Sequence, residues 1–216
     1  MSEIVVFGAG GRAGRATVAE AAGRGHRVTA VVRDPARHPH LGGDRVTVVA
    51  GDVTSAEDVA RIAAGHDAAV NTALRLDMPS LDFLPVATAA LADGLGRAGV
   101  KRLVLVGIGT TLESAPGVLV HDAPGFPAEH RAFSLGHLAA VEALRDADPA
   151  LDWVVLAPPP AMLDADAPRT GKYRIGGSAV LPDADERLFA YADLAVALVD
   201  EADNPRHHRA LAAVGY

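Results

Sequence analysis

Short apolar runs alternate along the chain with longer segments in which apolar residues recur at helical spacing. The runs predict strands at residues 4–7, 26–32, 45–50, 67–71, 101–106, 151–156 and 210–214. The longer segments predict helices at residues 12–24, 55–64, 84–98, 133–146 and 191–201, and residues 162–188 are predicted to be irregular. Regular alternation of strand and helix is typical of an α/β fold with a doubly wound parallel sheet.

A glycine-rich turn joins the first predicted strand to the first predicted helix. Gly8, Gly11 and Gly14 have GxxGxxG spacing, and Gly8, Gly10 and Ala13 have GxGxxA spacing. Both patterns occur in dinucleotide-binding βαβ units. The start of a helix offers free backbone N–H groups and the positive end of the helix dipole, and glycine lets a diphosphate approach the backbone. We therefore expect a dinucleotide here; a tight turn without a ligand is the alternative.

Composition and charge restrict the class of partner. The chain has 216 residues, half of them hydrophobic, which suits a single domain over residues 1–216. The net charge is −7 and the basic residues are scattered, so we expect a small-molecule substrate, not nucleic acid or a membrane. Without an apolar stretch of about 20 residues or a signal-like amino terminus, a cytoplasmic location is expected. An oligomer is compatible with all of this.

Further cofactor contacts are expected where the strands end, because ligands of such sheets bind beyond the carboxyl ends of the strands. Arg33 follows the second strand and can pair with a 2′-phosphate, which favours NADP(H) over NAD(H). Asp34 could weaken that preference, and Arg12 in the glycine turn could add a phosphate contact. A solvated arginine at a strand end is the alternative for Arg33.

The next strand ends supply the remaining candidates. We expect Asp52 and Val53 to contact the adenine, although a turn cap is nearly as good an explanation for Asp52. The candidates for the ribose and nicotinamide are Asn71, Thr72, Ala73 and Gly107.

Candidate catalytic hydroxyls stand in the loop after the fifth strand. Thr110 or Thr111 could orient a substrate carbonyl, with capping or an internal turn bond as the alternative for each. No metal site is predicted, because His38 and His40, like His207 and His208, lack the spacing and carboxylate neighbours typical of zinc ligands. The serines lack a GxSxG elbow, so a hydrolase is not supported.

Several motifs in the carboxyl-terminal half are more specific than the glycine turn. They are Leu112-Glu113 with Ala115-Pro116-Gly117, Pro124-Gly125-Phe126-Pro127-Ala128-Glu129, Leu151-Asp152-Trp153, Arg169-Thr170-Gly171-Lys172-Tyr173-Arg174, Asp193-Leu194-Ala195-Val196-Ala197 and Val214-Gly215-Tyr216. With these motifs the whole chain resembles the atypical short-chain dehydrogenase/reductases, and within them the small NAD(P)H-binding group of NADH-flavin reductases. It is more distantly similar to biliverdin-IXβ reductase and the NmrA-like proteins.

The resemblance implies a Rossmann fold, a nicotinamide cofactor and hydride transfer to a flavin, a quinone or another conjugated acceptor. The larger superfamily uses a YxxxK pair to donate a proton, but Phe133 and His137 stand at those positions here. Phenylalanine cannot donate a proton, whereas a flavin or another extended π-system can receive one from water. His137 could act as an acid or bind the nicotinamide ribose, with a surface histidine as the alternative. The family's loop serine corresponds to Thr111.

The substrate is expected to meet segments of about residues 108–132 and 158–190. The candidate substrate contacts are His121, Phe126, His130, Pro159, Arg169 and Tyr173. The cations Arg169, Lys172 and Arg174 could meet an acidic substrate or could belong to a solvated loop.

The sequence therefore predicts an NADP(H)-dependent oxidoreductase in which the protein binds and orients while the cofactor supplies the hydride. Two alternatives remain open. One is an epimerase, dehydratase or cyclase that uses the cofactor non-stoichiometrically, and the other is a non-enzymatic NADP(H) redox sensor.

Overall fold

The computed structural model describes residues 1–159, 163–182 and 188–216 and contains one large mixed sheet flanked by helices. Its strands are β1 (Glu3–Phe7), β2 (Arg27–Val32), β3 (Val46–Ala50), β4 (Ala68–Asn71), β5 (Arg102–Val106), β8 (Asp152–Ala157), β9 (Arg174–Ile175) and β10 (Ala210–Gly215), and a separate hairpin is formed by β6 (Glu113–Ala115) and β7 (Val118–Leu119). The helices are α1 (Arg12–Gly23), α2 (Ala56–Ala63), α3 (Ser80–Ala98), α4 (Ala128–Arg145) and α5 (Tyr191–Asp203).

The strand order is β3-β2-β1-β4-β5-β8-β10-β9, which confirms the predicted doubly wound sheet. Every pair is parallel except β10 with β9. The chain moves outward from β1 to β3 and then returns to the other side of β1, so the winding reverses between β1 and β4. A crevice for a ligand is expected at the carboxyl ends of these two strands.

Alternate residues of each strand feed two apolar cores, one on each face of the sheet. In β1, Ile4 and Val6 pack with α1 and α5, whereas Val5 and Phe7 pack with α2, α3 and α4. Each fully buried side chain of this size contributes about 1.5–3 kcal/mol from leaving water. Burial on both faces explains why the strands are nearly continuously apolar.

Two helices begin earlier in the structure than the sequence predicted. α3 begins at Ser80 instead of residue 84, and α4 begins at Ala128 instead of residue 133. A proline precedes each helix as its N-cap, and packing of Phe83 extends α3 toward its amino end. Pro85 lies inside α3, where it removes only the one backbone bond that its own N–H would have made.

The predicted irregular stretch at residues 162–188 contains the short strand β9, which was missed because two residues carry no periodic pattern. Residues 160–162 and 183–187 of the predicted substrate segment lie outside the described residues. Within the described ranges, no helix is both long enough and apolar enough to cross a membrane.

Candidate functional site

The glycine turn is held tightly at the carboxyl end of β1. Gly8 has a φ of +77°, and a Cβ at this position would lie 2.5 Å from the backbone nitrogen of Ala73. A Cβ on Gly14 would lie 2.2 Å from the carbonyl oxygen of Gly8. The N–H of Ala9 donates to the carbonyl of Val31 over 3.1 Å, which fixes the turn to β2. These close approaches explain the need for glycine at positions 8 and 14.

The first turn of α1 is open to an anion. Gly11 is the N-cap, no side chain caps the helix, and its first turn contains no acidic residue. The first helical N–H groups have no acceptor within the helix, and the helix dipole adds partial positive charge. Gly11 and Arg12 are exposed beside these groups. The residues present therefore fit the diphosphate of a dinucleotide.

Two carboxylates predicted near the adenosine, those of Asp34 and Asp52, accept hydrogen bonds from groups in their own turns. Asp34 accepts from the N–H of Ala36 over 3.1 Å and caps a short 3-10 helix. Asp52 accepts from the N–H and the hydroxyl of Thr54 over 2.9 and 2.7 Å, so the alternative of a turn cap is correct for this residue. Asp34 is thus less available to a ribose hydroxyl than the sequence suggested, while Arg33 is exposed.

Sequence reasoning missed two residues near this end of the crevice. The ring of His38, expected in a surface segment, lies against Gly10, where a Cβ would be 2.5 Å from its Cε1. Arg75 binds Asp77 over 2.9 Å and holds the pKa of that carboxyl at about 2, with a smaller contribution from Arg33. Arg33 therefore lies within electrostatic reach of the segment that follows β4. Neither position belongs to a recognisable motif.

The exit of β4 is fixed against the glycine turn. The hydroxyl of Thr72 lies 3.0 Å from the carbonyl oxygen of Phe7 and 3.1 Å from that of Gly8, and it donates to this pair. The side-chain oxygen of Asn71 accepts from the N–H of Ala73 over 3.1 Å. These bonds give the crevice a rigid wall between β1 and β4.

A cavity of about 20 Å³ lies beyond β4 and β5, at the expected nicotinamide end. Asn71, Gly107, Thr111 and His137 line it, so the structure brings together candidates from two strand ends and one helix. This volume is close to what one water molecule needs. Ala73 also lines the cavity, whereas Val53, predicted at the adenine, is buried in the core.

His137 is buried, so the alternative of a surface histidine is wrong. Its side chain is 7% exposed, and Nε2 has no hydrogen-bond partner among the described residues. Burial lowers its pKa to about 4, because the cationic form is poorly solvated there. The imidazole is therefore neutral near pH 7. It can make hydrogen bonds, but this does not favour the predicted role as an acid.

The two threonine hydroxyls are both bonded within the protein. Thr111 donates to the carbonyl of Ile108 over 2.8 Å, which is the internal turn bond considered as the alternative. The hydroxyl of Thr110 lies 2.7 Å from that of Ser134, which lies 2.7 Å from Nδ1 of His121. His121 is buried and faces this cluster.

A second groove, of about 230 Å³, lies between the segment after β4 and the start of α4. Its lining residues are Arg75, Leu76, Met78, Pro79, Ser80, Glu129, Ala132 and Phe133. The ring of Phe133 also packs edge-on against His137 with 5.1 Å between centroids. The groove is therefore next to His137, which borders the small cavity. The sequence offered one signal for this groove, the leucine at position 76. The structure shows that it is exposed, but single exposed leucines are common on protein surfaces and do not by themselves mark a site.

The predicted substrate contacts divide between two regions. Phe126 and His130 lie together before and within the first turn of α4, with 6.4 Å between ring centroids. Pro159 is buried against the end of β10, where a Cβ on Gly215 would be 3.2 Å from its Cγ.

Arg169 and Tyr173 are held elsewhere, which corrects their assignment to the substrate. Arg169 binds Glu20 of α1 through two bonds of 2.7 and 2.9 Å, and the hydroxyl of Tyr173 donates to Asp200 of α5. The buried carboxylate of Asp193 causes this, because it accepts from the backbone of residues 170 and 171 and draws the loop onto α5.

The histidines near the carboxyl terminus also differ from expectation. His207 lies 2.7 Å from Glu201, and His208 lies 2.9 Å from Asp152, so both have carboxylate neighbours. Within the described ranges, no group of three or more potential ligands is arranged to hold a metal ion.

Comparison with known proteins identifies the family. Residues 8–205 match the family described as NAD(P)H-binding, from the glycine turn to beyond α5. The chain belongs to this family. The prediction of an NAD(P)H-binding family is confirmed, as is the binding of a nicotinamide dinucleotide at the level of NAD(P)H.

Three solved structures of similar proteins extend this result. A Burkholderia pseudomallei protein provisionally named as exported is 34% identical with a TM-score of 0.87, and each chain is covered to 100%. A provisionally named epimerase from Bacteroides thetaiotaomicron is 30% identical with a TM-score of 0.87, covering 100% of this chain and 97% of that one. A provisionally named NADH-flavin reductase from Streptococcus pneumoniae shares the fold at 24% identity, with a TM-score of 0.80 and coverage of 100% and 99%.

Proposed function

We propose that this protein binds NADP(H) in preference to NAD(H) and transfers hydride to a flat conjugated acceptor such as a quinone or a flavin. The observation that carries the proposal is the uncapped start of α1, framed by Gly8 and Gly14, with Arg33 exposed at the adjacent end of β2. Membership of an NAD(P)H-binding family supports the assignment of a dinucleotide to that turn.

Each part of the crevice has its own task. The N–H groups at the start of α1 hold the diphosphate, and Arg33 pairs with the 2′-phosphate. Since Asp34 accepts from the N–H of Ala36, it is less available to accept from the 2′-hydroxyl of NAD(H). The bound nicotinamide supplies hydride. His137 borders the small cavity at the proposed nicotinamide end, next to the ring and not around it, as a neutral hydrogen-bonding group that adds no charge.

The acceptor is proposed to lie in the 230 Å³ groove. Met78, Leu76 and Phe133 give this groove an apolar wall, which suits a flat ring system. Because Phe133 cannot donate a proton, an acceptor that stabilises added charge over a π-system is favoured over a simple carbonyl.

Calorimetric titration of the protein with NADPH and with NADH tests the cofactor assignment. Arg33→Ala should raise the Kd for NADPH about tenfold or more, because a hydrogen bond to a charged group is worth about 1.5–3 kcal/mol. The Kd for NADH should change less than about twofold. Arg97→Ala, an exposed arginine in the last turn of α3, is the matched control and should leave both unchanged. Binding of neither nucleotide to the wild type would refute the proposal.

Two observations favour a second function, a non-enzymatic NADP(H) redox sensor. Position 133 holds no phenol, and His137 is buried and neutral. A sensor should bind NADPH and NADP⁺ with clearly different affinity and should not consume NADPH with any acceptor. Loss of absorbance at about 340 nm with a quinone would exclude this alternative.

A further inference from the structure

A chain of three hydrogen-bonded side chains, two of them buried, starts in the loop that follows β5. Thr110, Ser134 and His121 are joined by two contacts of 2.7 Å each, the first between hydroxyls and the second between the hydroxyl of Ser134 and Nδ1 of His121. Ser134 is 0% exposed and His121 is 1% exposed. The three residues come from three different elements, so tertiary structure alone aligns them.

The outer end of the chain reaches solvent. Nε2 of His121 lies 3.7 Å from a carboxylate oxygen of Asp122, whose side chain is 43% exposed. Arg131 holds the other oxygen of that carboxylate over 2.7 Å. His121 is thereby in reach of an exposed group that exchanges protons with water.

The inner end of the chain is adjacent in sequence to residues that line the small cavity and the 230 Å³ groove. Thr110 is partly exposed and stands next to Thr111, which lines the small cavity with His137. Ser134 follows Phe133, whose ring lines the 230 Å³ groove. A hydroxyl both donates and accepts, so Thr110 can release one proton and take up another.

We propose that Thr110, Ser134 and His121 conduct a proton from solvent at Asp122 to the reduced acceptor. The proposal rests on the proposed function, since it supplies the proton that a quinone needs after hydride has arrived. It also accounts for a reductase with phenylalanine at position 133.

The balance of the step is simple. Hydride from NADPH brings two electrons to the quinone and leaves a hydroquinone anion. The anion takes a proton from the hydroxyl of Thr110, which takes one from Ser134, which takes one from Nδ1 of His121. His121 gains a proton at Nε2 from solvent, so that one NADPH, one quinone and one proton give NADP⁺ and the hydroquinone. Ser134 and His121 act through Thr110 and not on the acceptor.

The same geometry excludes Ser134 as a nucleophile. Its hydroxyl is fully buried, and it meets Nδ1 of His121 while the carboxylate lies near Nε2. A serine hydrolase has the reverse arrangement, with serine at Nε2 and the carboxylate at Nδ1. A path for protons needs no access of substrate to Ser134.

Two acceptors separate a proton path from a structural role. Menadione, a quinone, needs a proton after hydride transfer, whereas the 10-methylacridinium cation becomes neutral on accepting hydride and needs none. Ser134→Ala should lower the rate of menadione reduction by NADPH about 100-fold, a typical contribution of general acid catalysis. Reduction of 10-methylacridinium should change less than about twofold.

Matched variants complete the test. Thr110→Val should show the same selective loss, and Thr110→Ser should restore the menadione rate, because it keeps the hydroxyl. Thr47→Val, an exposed threonine on β3, should change neither rate. If Ser134→Ala does not fold, the comparison of Thr110→Val with Thr110→Ser tests the proton path, because Thr110 is partly exposed.

Each contrary result has a distinct meaning. Equal loss with both acceptors, or no loss with either, would overturn the proton path while leaving the reductase intact. A wild-type protein that binds NADPH but reduces neither acceptor would overturn the proposed function, and the path with it.

Discussion

Burial of the His137 side chain costs free energy, and the buried ring lies beside the proposed site. Its Nε2 has no partner among the described residues although the ring is nearly fully buried. An unsatisfied buried polar group costs about 1–3 kcal/mol. Groups with strongly shifted pKa values cluster at functional sites, and this one borders the small cavity at the proposed nicotinamide end.

The buried imidazole predicts a specific pH dependence of stability. The folded-state pKa is about 4 and the ordinary value is 6.5, so the unfolded chain binds more protons between these values. The stability is complete above pH 6.5 and falls as the pH drops toward 4, by about 2–3 kcal/mol between pH 7 and 4.5. Urea denaturation at pH 7 and at pH 4.5 measures this loss of stability. The His137→Leu variant should lose about 2–3 kcal/mol less than the wild type between the two pH values. An equal loss in both proteins would contradict the assignment.

Gly14 and Gly11 make a matched pair for the glycine turn. A Cβ at position 14 would strike the rigid carbonyl of Gly8 at 2.2 Å, whereas at position 11 it would make an ordinary contact of 3.4 Å with the same oxygen. Gly14→Ala should therefore destabilise the protein by about 1–3 kcal/mol, and Gly11→Ala by only about 0.5–1 kcal/mol, because alanine is a poorer N-cap than glycine. Chemical denaturation of both variants checks this; equal effects would show that the turn can relax.

At the scale of elements, glycines let the three helices on one face approach closely. A Cβ on Gly94 of α3 would lie 2.6 Å from the Cβ of Val59 in α2. Gly136 of α4 similarly faces Ser80 at the start of α3, where a Cβ would be 2.4 Å from its hydroxyl oxygen. Glycine weakens a helix, so its presence at these contacts reflects packing. The resulting position of α4 brings Phe133, Ser134 and His137 to the crevice.

This packing predicts opposite effects for two glycines of the same helix. Gly94→Ala should destabilise the protein by about 1–3 kcal/mol, because both Val59 and the carbonyl of Ala56 must move. Gly96→Ala should stabilise it by about 0.5–1 kcal/mol, since a Cβ there meets nothing within 4 Å among the described residues. Thermal and urea denaturation measure both. Destabilisation by both variants would show that helix propensity and local space are not the controlling factors.

At the scale of the whole molecule, a buried ion-pair network and the proposed site lie at opposite ends of the strands. At the amino ends of the strands, buried Arg102 binds Glu201 over 2.7 Å and Asp152 over 2.9 Å. Glu201 also accepts from His207, so one network joins β5, β8 and α5. The crevice lies at the carboxyl ends of the strands, where loops are free to vary.

This separation predicts that the network can be weakened without loss of cofactor binding. Glu201→Gln should cost about 3 kcal/mol or more, because Arg102 loses its fully buried countercharge. The Kd for NADPH should stay within about twofold of the wild type in calorimetric titration. Glu142→Gln, an exposed glutamate on α4, is the control and should be neutral. A large change in the Kd for NADPH would indicate coupling between the ion-pair network and the cofactor crevice.

The sequence alone determined the order of the longer strands and of helices α1 to α5, the glycine turn and the strand ends at which a ligand is proposed, but not β9 or the β6–β7 hairpin. These follow from local causes: apolar periodicity records which faces are buried, and a turn such as that at Gly8 depends on the backbone freedom of one residue. The family motifs added the cofactor class, which residues 8–205 confirm.

Only the tertiary structure decided which polar side chains meet. Arg169 binds Glu20 and Tyr173 binds Asp200, and neither partner is near in sequence. His137 is neutral because the fold buries it, and Ser134 meets His121 and Thr110 because three elements converge. Periodicity specifies that a side chain is buried but carries no information on its distant neighbour. Electrostatic and hydrogen-bonding energies depend on that neighbour, so the roles of these residues could be settled only in three dimensions.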